Sequence, residues 1–413
     1  METYKYLIIG GGIAGTTAAE TLRKEDPEAR VAIISDEPYP LYSRILLSKP
    51  NFFLEKVPFD TIWMRKAEGY KEKGIDFIGG RRATTLNAKD KTVTLDDGTE
   101  LKYEKLLLAI GCPVRQLPIP GLDKKGVNHV KTVDDARDII TNVKKAQTAV
   151  VIGSGFIGFE MCDMLHLAGV KVEAIVREKY FWEPILDEPA GRILERKMVE
   201  EGINIRLESE VTEVRGDERV EGVTLKDGTE IDCQMIILAV GVNFKGEWLK
   251  STGLEIRRGI LADEKLKTNL ADIWTAGDVA EFQDVLLDEC LMCGTWINAQ
   301  MQGKTAAMNM MGKDETYRQL SFYTAHGFGF NIGFVGNVWL GDDSELIGRG
   351  DPGSGKYTGI VLRGGNRIVG SFMIDRPGDM TPLKRFVESK ADVSGIKEKL
   401  ANPDTDLATL IGE

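Results

Sequence analysis

Three glycines spaced G-x-G-x-x-G (Gly10, Gly12 and Gly15) end the apolar run Tyr6 to Ile9 and open a helix-like stretch, Thr16 to Lys24. Strand, glycine turn and helix in that order form a phosphate-binding device. The first glycine makes the tight turn, the second lets a pyrophosphate approach the backbone, and the third lets helix and strand lie close. The phosphates then rest on unpaired N–H groups at the positive end of the helix dipole. A second apolar run, Arg30 to Ser35, ends in Ser35-Asp36-Glu37 and so offers a carboxylate to a ribose hydroxyl.

The device occurs twice. Ala149-Val-Val-Ile runs into Gly153, Gly155 and Gly158 with the same spacing. Two downstream segments repeat as well: Thr94-Leu-Asp-Asp-Gly-Thr-Glu100 returns as Thr224-Leu-Lys-Asp-Gly-Thr-Glu230, and the strand ending at Ala109-Ile-Gly111 returns as one ending at Ala239-Val-Gly241. Each copy therefore reads as a nucleotide turn, a second strand, a hairpin around Asp-Gly, and a buried strand. The first copy alone carries an irregular insertion, 39–58, with Tyr39-Pro-Leu-Tyr-Ser-Arg-Ile-Leu-Leu-Ser-Lys49.

The remaining elements must position these turns. Ile62 to Lys73 reads as a helix and Ile75 to Ile78 as a short strand. Asp278, after the short strand Ile273-Trp-Thr and Gly277, can present a carboxylate to a cofactor hydroxyl. The stretch from Gly294 to Met311 reads as a helix whose N-terminal N–H groups can face an electron-rich group. Beyond Thr316 the texture changes to strands at 328–339, 358–362 and 367–374, with a terminal helical stretch over 382–400. The fold class expected is α/β: two Rossmann-like three-layer dinucleotide-binding domains plus a small C-terminal α+β domain. The boundaries read as 1–112 with 242–315, then 113–241, then 316–413.

Composition narrows the function. A net charge of −11 over 413 residues, with no basic tract, argues against nonspecific nucleic-acid binding. No apolar run has membrane-spanning length, and the first strand starts too early to leave room for a signal peptide. Five sparse cysteines do not form a disulfide framework, so a reducing cytoplasm is expected. The three histidines are scattered without ligand spacing, so no metal site is expected.

Taken together, the two glycine turns, Ser35-Asp36, Ala109-Ile-Gly111 and Thr275-Ala-Gly-Asp278 resemble the pyridine nucleotide–disulfide oxidoreductase superfamily. The resemblance covers nearly the whole chain. It implies that Gly10, Gly12, Gly15, Ser35, Asp36, Ala83, Ala109, Gly111, Gly277 and Asp278 hold FAD. It also implies that Gly153, Gly155 and Gly158 hold a nicotinamide nucleotide. Arg177, after the strand Val172 to Val176, can pair with a 2′-phosphate and favours NADPH, while Glu178 keeps NADH open.

The loop at 42–49 narrows the subfamily. Disulfide reductases carry cysteines there; this chain has Tyr42-Ser-Arg-Ile-Leu-Leu-Ser-Lys49, similar to rubredoxin and ferredoxin reductases and to the flavin region of nitrite reductases. The similarity implies that Lys49 and Arg44 lie by the flavin ring, where a cation favours the reduced anionic form. Glu160 matches a position near that lysine. The expected activity is therefore NAD(P)H-dependent reduction of FAD, then electron delivery to a rubredoxin- or ferredoxin-like protein or a partner subunit. A homodimer is compatible with this reading. The alternatives are an NAD(P)H oxidase or disulfide reductase working through Cys290-Leu-Met-Cys293, whose thiols a helix N-terminus would acidify, or a flavin subunit of a larger complex.

Overall fold

In the computed structural model, which describes residues 1–411, the first apolar run lies inside the strand Glu2–Ile9 at the centre of a parallel sheet. The order is Ile75–Gly79, Val31–Ser35, Glu2–Ile9, Glu100–Leu108, with Ile273–Thr275 pairing on the far side of Glu100–Leu108. Strand Glu100–Leu108 serves two partners, and its sequence shows why. Its first half buries alternate residues, Leu101 and Tyr103, and forms the antiparallel hairpin with Thr92–Leu95. Its second half, Leu106 to Leu108, is wholly buried and lies among parallel neighbours. This unit comprises 1–43, 60–113 and 242–321.

One face of its sheet is covered by the helices Ile13–Glu25 and Trp296–Met310. They touch backbone to backbone, because a Cβ on Gly303 would lie 2.2 Å from the Ala14 carbonyl oxygen. The opposite face packs Leu7, Ile9 and Leu106 against Phe244 and Leu249.

A second unit comprises 44–59, 114–241 and the chain from 322 onward. Its parallel sheet runs Asn204–Arg206, Lys171–Ile175, Thr148–Ile152, Met235–Leu238, Val127–Asn128, with the helix Phe156–Leu167 following the second glycine turn. The C-terminal antiparallel sheet runs Phe322–Gly327, Phe330–Gly336, Arg367–Ile374, Lys356–Arg363, Ser344–Asp351. An aromatic cluster joins it to the glycine-turn helix: Phe156 meets Phe334 edge-on at 5.1 Å and Phe159 meets Phe328 at 5.3 Å. The buried Asp163 side chain on that helix accepts the Phe328 N–H, and burial raises its pKa.

The internal repeat survives in detail. Gly98 and Gly228 have φ of +83° and +87°, and Asp97 and Asp227 cap the same turn position through Thr99 and Thr229 N–H groups. Some expected elements differ. The helix expected over 62–73 is only Ala67–Glu72, after a 3₁₀ turn Phe59–Ile62, because Ile62 and Trp63 are drawn into contacts with the 39–43 loop. The expected strand 328–339 is shorter, Phe330–Gly336, and an unexpected strand, Phe322–Gly327, precedes it across a turn at Phe328 and Gly329, both with positive φ. The terminal helix stops at Ser389, where Lys390 takes the left-handed conformation, and resumes as Lys397–Ala401. Positions 412–413 of the expected C-terminal domain lie outside the described residues.

Two stability predictions follow from this packing. Gly303→Ala should lower stability by about 1–3 kcal/mol in denaturant melts, since the helices must separate. A carboxyl whose folded pKa is raised stabilises most below its unfolded pKa, and that contribution is lost as pH rises through the folded value. Asp163→Asn keeps the acceptor for Phe328, so its melting-temperature gain over wild type should be larger at about pH 8 than at about pH 4.5.

Candidate dinucleotide-binding and redox site

Two glycines of each turn are required by the protein itself. At Gly10, with φ of +121°, a Cβ would lie 2.0 Å from the Ala109 carbonyl; at Gly15 it would lie 1.9 Å from the Gly10 carbonyl. The second copy matches: Gly153 has φ of +106° with the Ala239 carbonyl 2.5 Å away, and Gly158 meets the Gly153 carbonyl at 2.2 Å.

The middle glycines differ. Gly12 and Gly155 cap their helices with φ, ψ of −72°, −172° and −71°, −176°, which any residue can adopt. A Cβ at either would meet nothing within 4 Å. Nothing in the protein demands glycine here, which leaves room for a ligand to come close. Open space on bare helix N–H groups suits a pyrophosphate. The residues present therefore fit two dinucleotides.

Around the first turn, the expected FAD residues lie at the carboxyl ends of neighbouring parallel strands. Ile9 pairs with Leu108 and Leu108 with Thr275, so Gly10, Ala109, Gly111, Gly277 and Asp278 follow three adjacent strand ends. Thr275 Oγ1 donates to the Leu108 carbonyl at 3.0 Å, and the Gly277 N–H donates to Gln302 Oε1 at 2.8 Å. Cys112 Sγ donates to the Asp278 carbonyl at 3.2 Å. Ser35 is buried at the end of its strand, and Asp36 is exposed, 3.7 Å from Arg82. Ala83 is buried opposite Leu95. Sequence reasoning missed Thr295 and Gln302. Thr295 Oγ1, just before the helix Trp296–Met310, and Gln302 Nε2 are buried without a hydrogen-bond partner among the described residues. Two such orphans beside the Asp278 turn are polar groups that a bound cofactor can satisfy.

In the second unit, Glu178 joins the glycine turn. Ser154 Oγ donates to Glu178 Oε2 at 3.4 Å, and Arg177, largely exposed, pairs with Glu178 Oε1 at 3.1 Å. Val176 is fully buried, so the polar contacts after this strand pass to Arg177 and Glu178.

The 42–49 loop divides. Tyr42 stays with the first unit, donating to Glu37 Oε2 at 2.5 Å. Residues 44–59 are built into the second. Arg44 donates to the Lys131 carbonyl. The Lys49 ammonium and the Ser48 hydroxyl each take one oxygen of Glu160, which is 5% exposed on the helix Phe156–Leu167. Ser48 stands in the Ser-Lys motif, so its neighbour was visible in the sequence; its contact across 112 positions was not.

The cysteine pair bears on the alternative, thiol-based reading. Cys290 lies in the edge strand Glu289–Leu291, with Sγ 3.4 Å from Gln283 Oε1. Burial, with Asp284 nearby, pushes the Cys293 thiol up to about 12, so no helix N-terminus acidifies it. Both are free thiols. Among the described residues no cluster is suited to a metal, and no helix is long and apolar enough to cross a membrane.

Comparison with known proteins agrees with this geometry. The family model described as pyridine nucleotide-disulphide oxidoreductase matches residues 4–303. A nitrite reductase [NAD(P)H] of Bacillus subtilis (strain 168) is 29% identical over 95% of this chain, which spans only 48% of that protein. The ferredoxin reductase component of a chlorobenzene dioxygenase from Cupriavidus sp. (strain PS12) is 29% identical, covering 94% of this chain and 93% of its own. The crystal structure of the ferredoxin reductase for the CYP199A2 system from Rhodopseudomonas palustris shares the fold, with a TM-score of 0.90 at 24% identity over 99% and 100% of the chains. The expected fold and family are both borne out: the chain is an oxidoreductase belonging to the pyridine nucleotide-disulphide oxidoreductase family.

Proposed function

We propose that the chain is the reductase of an electron-transfer pair, taking hydride from a nicotinamide nucleotide into FAD and delivering electrons to a small ferredoxin- or rubredoxin-type protein. The observation that carries this is the open cradle at Gly12 and again at Gly155, with no cysteine in the 42–49 loop. FAD, when bound, supplies a centre that accepts two electrons together and releases them singly.

In this reading residues 1–112 with 242–315 bind FAD, 113–241 bind the nicotinamide nucleotide, and 316–413 form a small α+β domain, most of it in the same compact unit as 114–241. Gly10, Gly12 and Gly15 seat the FAD pyrophosphate. Ser35, Asp36 and Ala83 meet its adenosine end, and Asp278, with Ala109, Gly111 and Gly277, its ribitol side. Lys49 is the cation of the redox centre and Arg44 its neighbour. Glu160 holds the Lys49 ammonium in place. Charge fixed in advance where negative charge develops costs no reorganisation when the electrons arrive.

For the coenzyme the proposal is NADH. The Arg177 guanidinium is engaged by Glu178, and a carboxylate hydrogen-bonded to the second turn accepts ribose hydroxyls and repels a 2′-phosphate. This moves weight away from the NADPH preference that Arg177 alone suggested. The named function of the Cupriavidus relative, a ferredoxin reductase component, supports the class of acceptor. Free thiols throughout support a cytoplasmic setting. A second reading, the flavin-bearing part of a larger complex, is favoured by the nitrite reductase match, of which this chain spans about half.

Three outcomes test the proposal. Lys49→Met should slow reduction of the bound flavin by NADH about 10²-fold in anaerobic stopped flow, while FAD content stays intact. Cys290→Ser with Cys293→Ser should leave NADH-to-dye turnover within about twofold of wild type, because a thiol held protonated carries no relay. NADH should exceed NADPH in kcat/KM by about tenfold or more, and Glu178→Gln should narrow that ratio. A preference for NADPH in the wild type would contradict the coenzyme assignment.

A further inference from the structure

Resting on that reading, we infer that Gln302 and Cys112 are positioning residues for FAD. From two sides they lock the turn Ala276-Gly277-Asp278, and so fix the carboxylate that Asp278 presents. All of these residues belong to one compact unit.

The helix Trp296–Met310 faces the core with Ala299, Ala306 and Met310, yet it also buries two amides, Asn298 and Gln302. They stand four apart on one helix face, Asn298 at 1% exposure and Gln302 at 0%. A buried amide is costly unless its hydrogen bonds are made, so what each one holds is informative. Asn298 accepts the Tyr317 hydroxyl and donates to Ser321 Oγ, both at 2.9 Å, which ties the segment after the helix back onto it. Gln302 Oε1 accepts the Gly277 N–H at 2.8 Å. The second amide therefore serves the turn before Asp278 rather than the packing of its own helix.

That turn needs restraint. Gly277 has φ of +82°, in the left-handed region that favours glycine, and glycine has the most backbone freedom to lose. A carboxylate carried on such a hinge binds weakly unless the turn is ordered before the ligand arrives. Three side chains supply the order. Thr275 Oγ1 bonds the Leu108 carbonyl at 3.0 Å, and Gln302 holds the next peptide but one from the helix side. Cys112, 3% exposed in the core on the opposite face of the sheet, donates from Sγ to the Asp278 carbonyl at 3.2 Å. With its backbone held at both ends, Asp278 turns its side chain toward Gly294, where a Cβ would stand 3.9 Å from Oδ1. The carboxylate is thereby placed beside the residues that lead into the helix, next to the unpartnered Thr295 hydroxyl.

The test uses the FAD-loaded full chain and three variants: Gln302→Met, Cys112→Ala and Cys112→Ser. FAD release on dilution, read as recovered flavin fluorescence, gives Kd. Thermal melts with and without FAD give the stabilisation that the cofactor brings. Kd should rise about tenfold in Gln302→Met and about threefold in Cys112→Ala, where a weaker donor is lost. Cys112→Ser keeps a donor and should bind FAD as wild type does. The FAD-induced gain in melting temperature should shrink in the same order. A purely structural role would lower the melts with and without FAD alike and leave Kd at the wild-type value, and that result would overturn the inference. Equal weakening by Cys112→Ala and Cys112→Ser would overturn it as well, because the hydrogen bond would then carry nothing. Should Gln302→Met fail to fold, the two Cys112 variants decide alone. In each of these cases the proposed function stands, whereas a wild-type chain that takes up no FAD would remove that function and this inference together.

Discussion

A helix begins with backbone N–H groups that no residue of the helix can satisfy, and after both glycine turns this protein caps them with no side chain. At Gly12 and Gly155 the conformation is open to any amino acid and the space beyond is empty. Ser, Thr, Asp or Asn would cap these helices and gain roughly a few tenths of a kcal/mol over glycine. Glycine forgoes that stabilisation, and what it leaves is room for a phosphate. The flanking glycines, Gly10, Gly15, Gly153 and Gly158, answer to a different constraint, contact with carbonyl groups of the protein itself. The carboxyl ends of the parallel strands then bring the remaining residues proposed for the first cofactor to the same edge.

The two copies share their turns, down to the Asp-Gly hairpins, but diverge after the second strand. In the first, the chain leaves Ser43 and contributes residues 44–59 to the other compact unit. That excursion carries Arg44, Ser48 and Lys49. A buried carboxylate with one oxygen taken by Lys49 and the other by Ser48 has little freedom to rotate. Lys49 is thus tied to the helix Phe156–Leu167 of the second glycine turn. Disulfide reductases place a thiolate in this stretch. Here the cysteines lie elsewhere, and burial keeps Cys293 protonated.

Much of this was legible in the sequence because short-range chemistry produces it. Glycine spacing, the period-2 hairpins and the apolar strand runs of the two glycine-turn repeats are local signals found where their residues predicted, whereas the run 328–339 is not. Contacts set by long-range packing were not legible. Gln302 reaches Gly277, and the stretch Ile62 to Lys73 keeps only six helical residues, Ala67–Glu72, because Ile62 and Trp63 pack onto the preceding loop. The Cys290–Cys293 spacing left acidified thiols open only as an alternative, because a pKa depends on depth, which spacing does not encode. Likewise Arg177 read alone suggested a phosphate partner; its carboxylate neighbour, tied to Ser154, changes that balance.

The central claim is that electrons pass from nicotinamide to flavin and outward, with no thiol–disulfide store between them. Anaerobic titration of the FAD-loaded chain with NADH, after air oxidation, counts those electrons directly. The account predicts full bleaching of the flavin at about one equivalent of NADH per FAD, with no further electrons taken up. Consumption of about two equivalents, with new free thiols released, would contradict it by revealing a second redox centre beside the flavin.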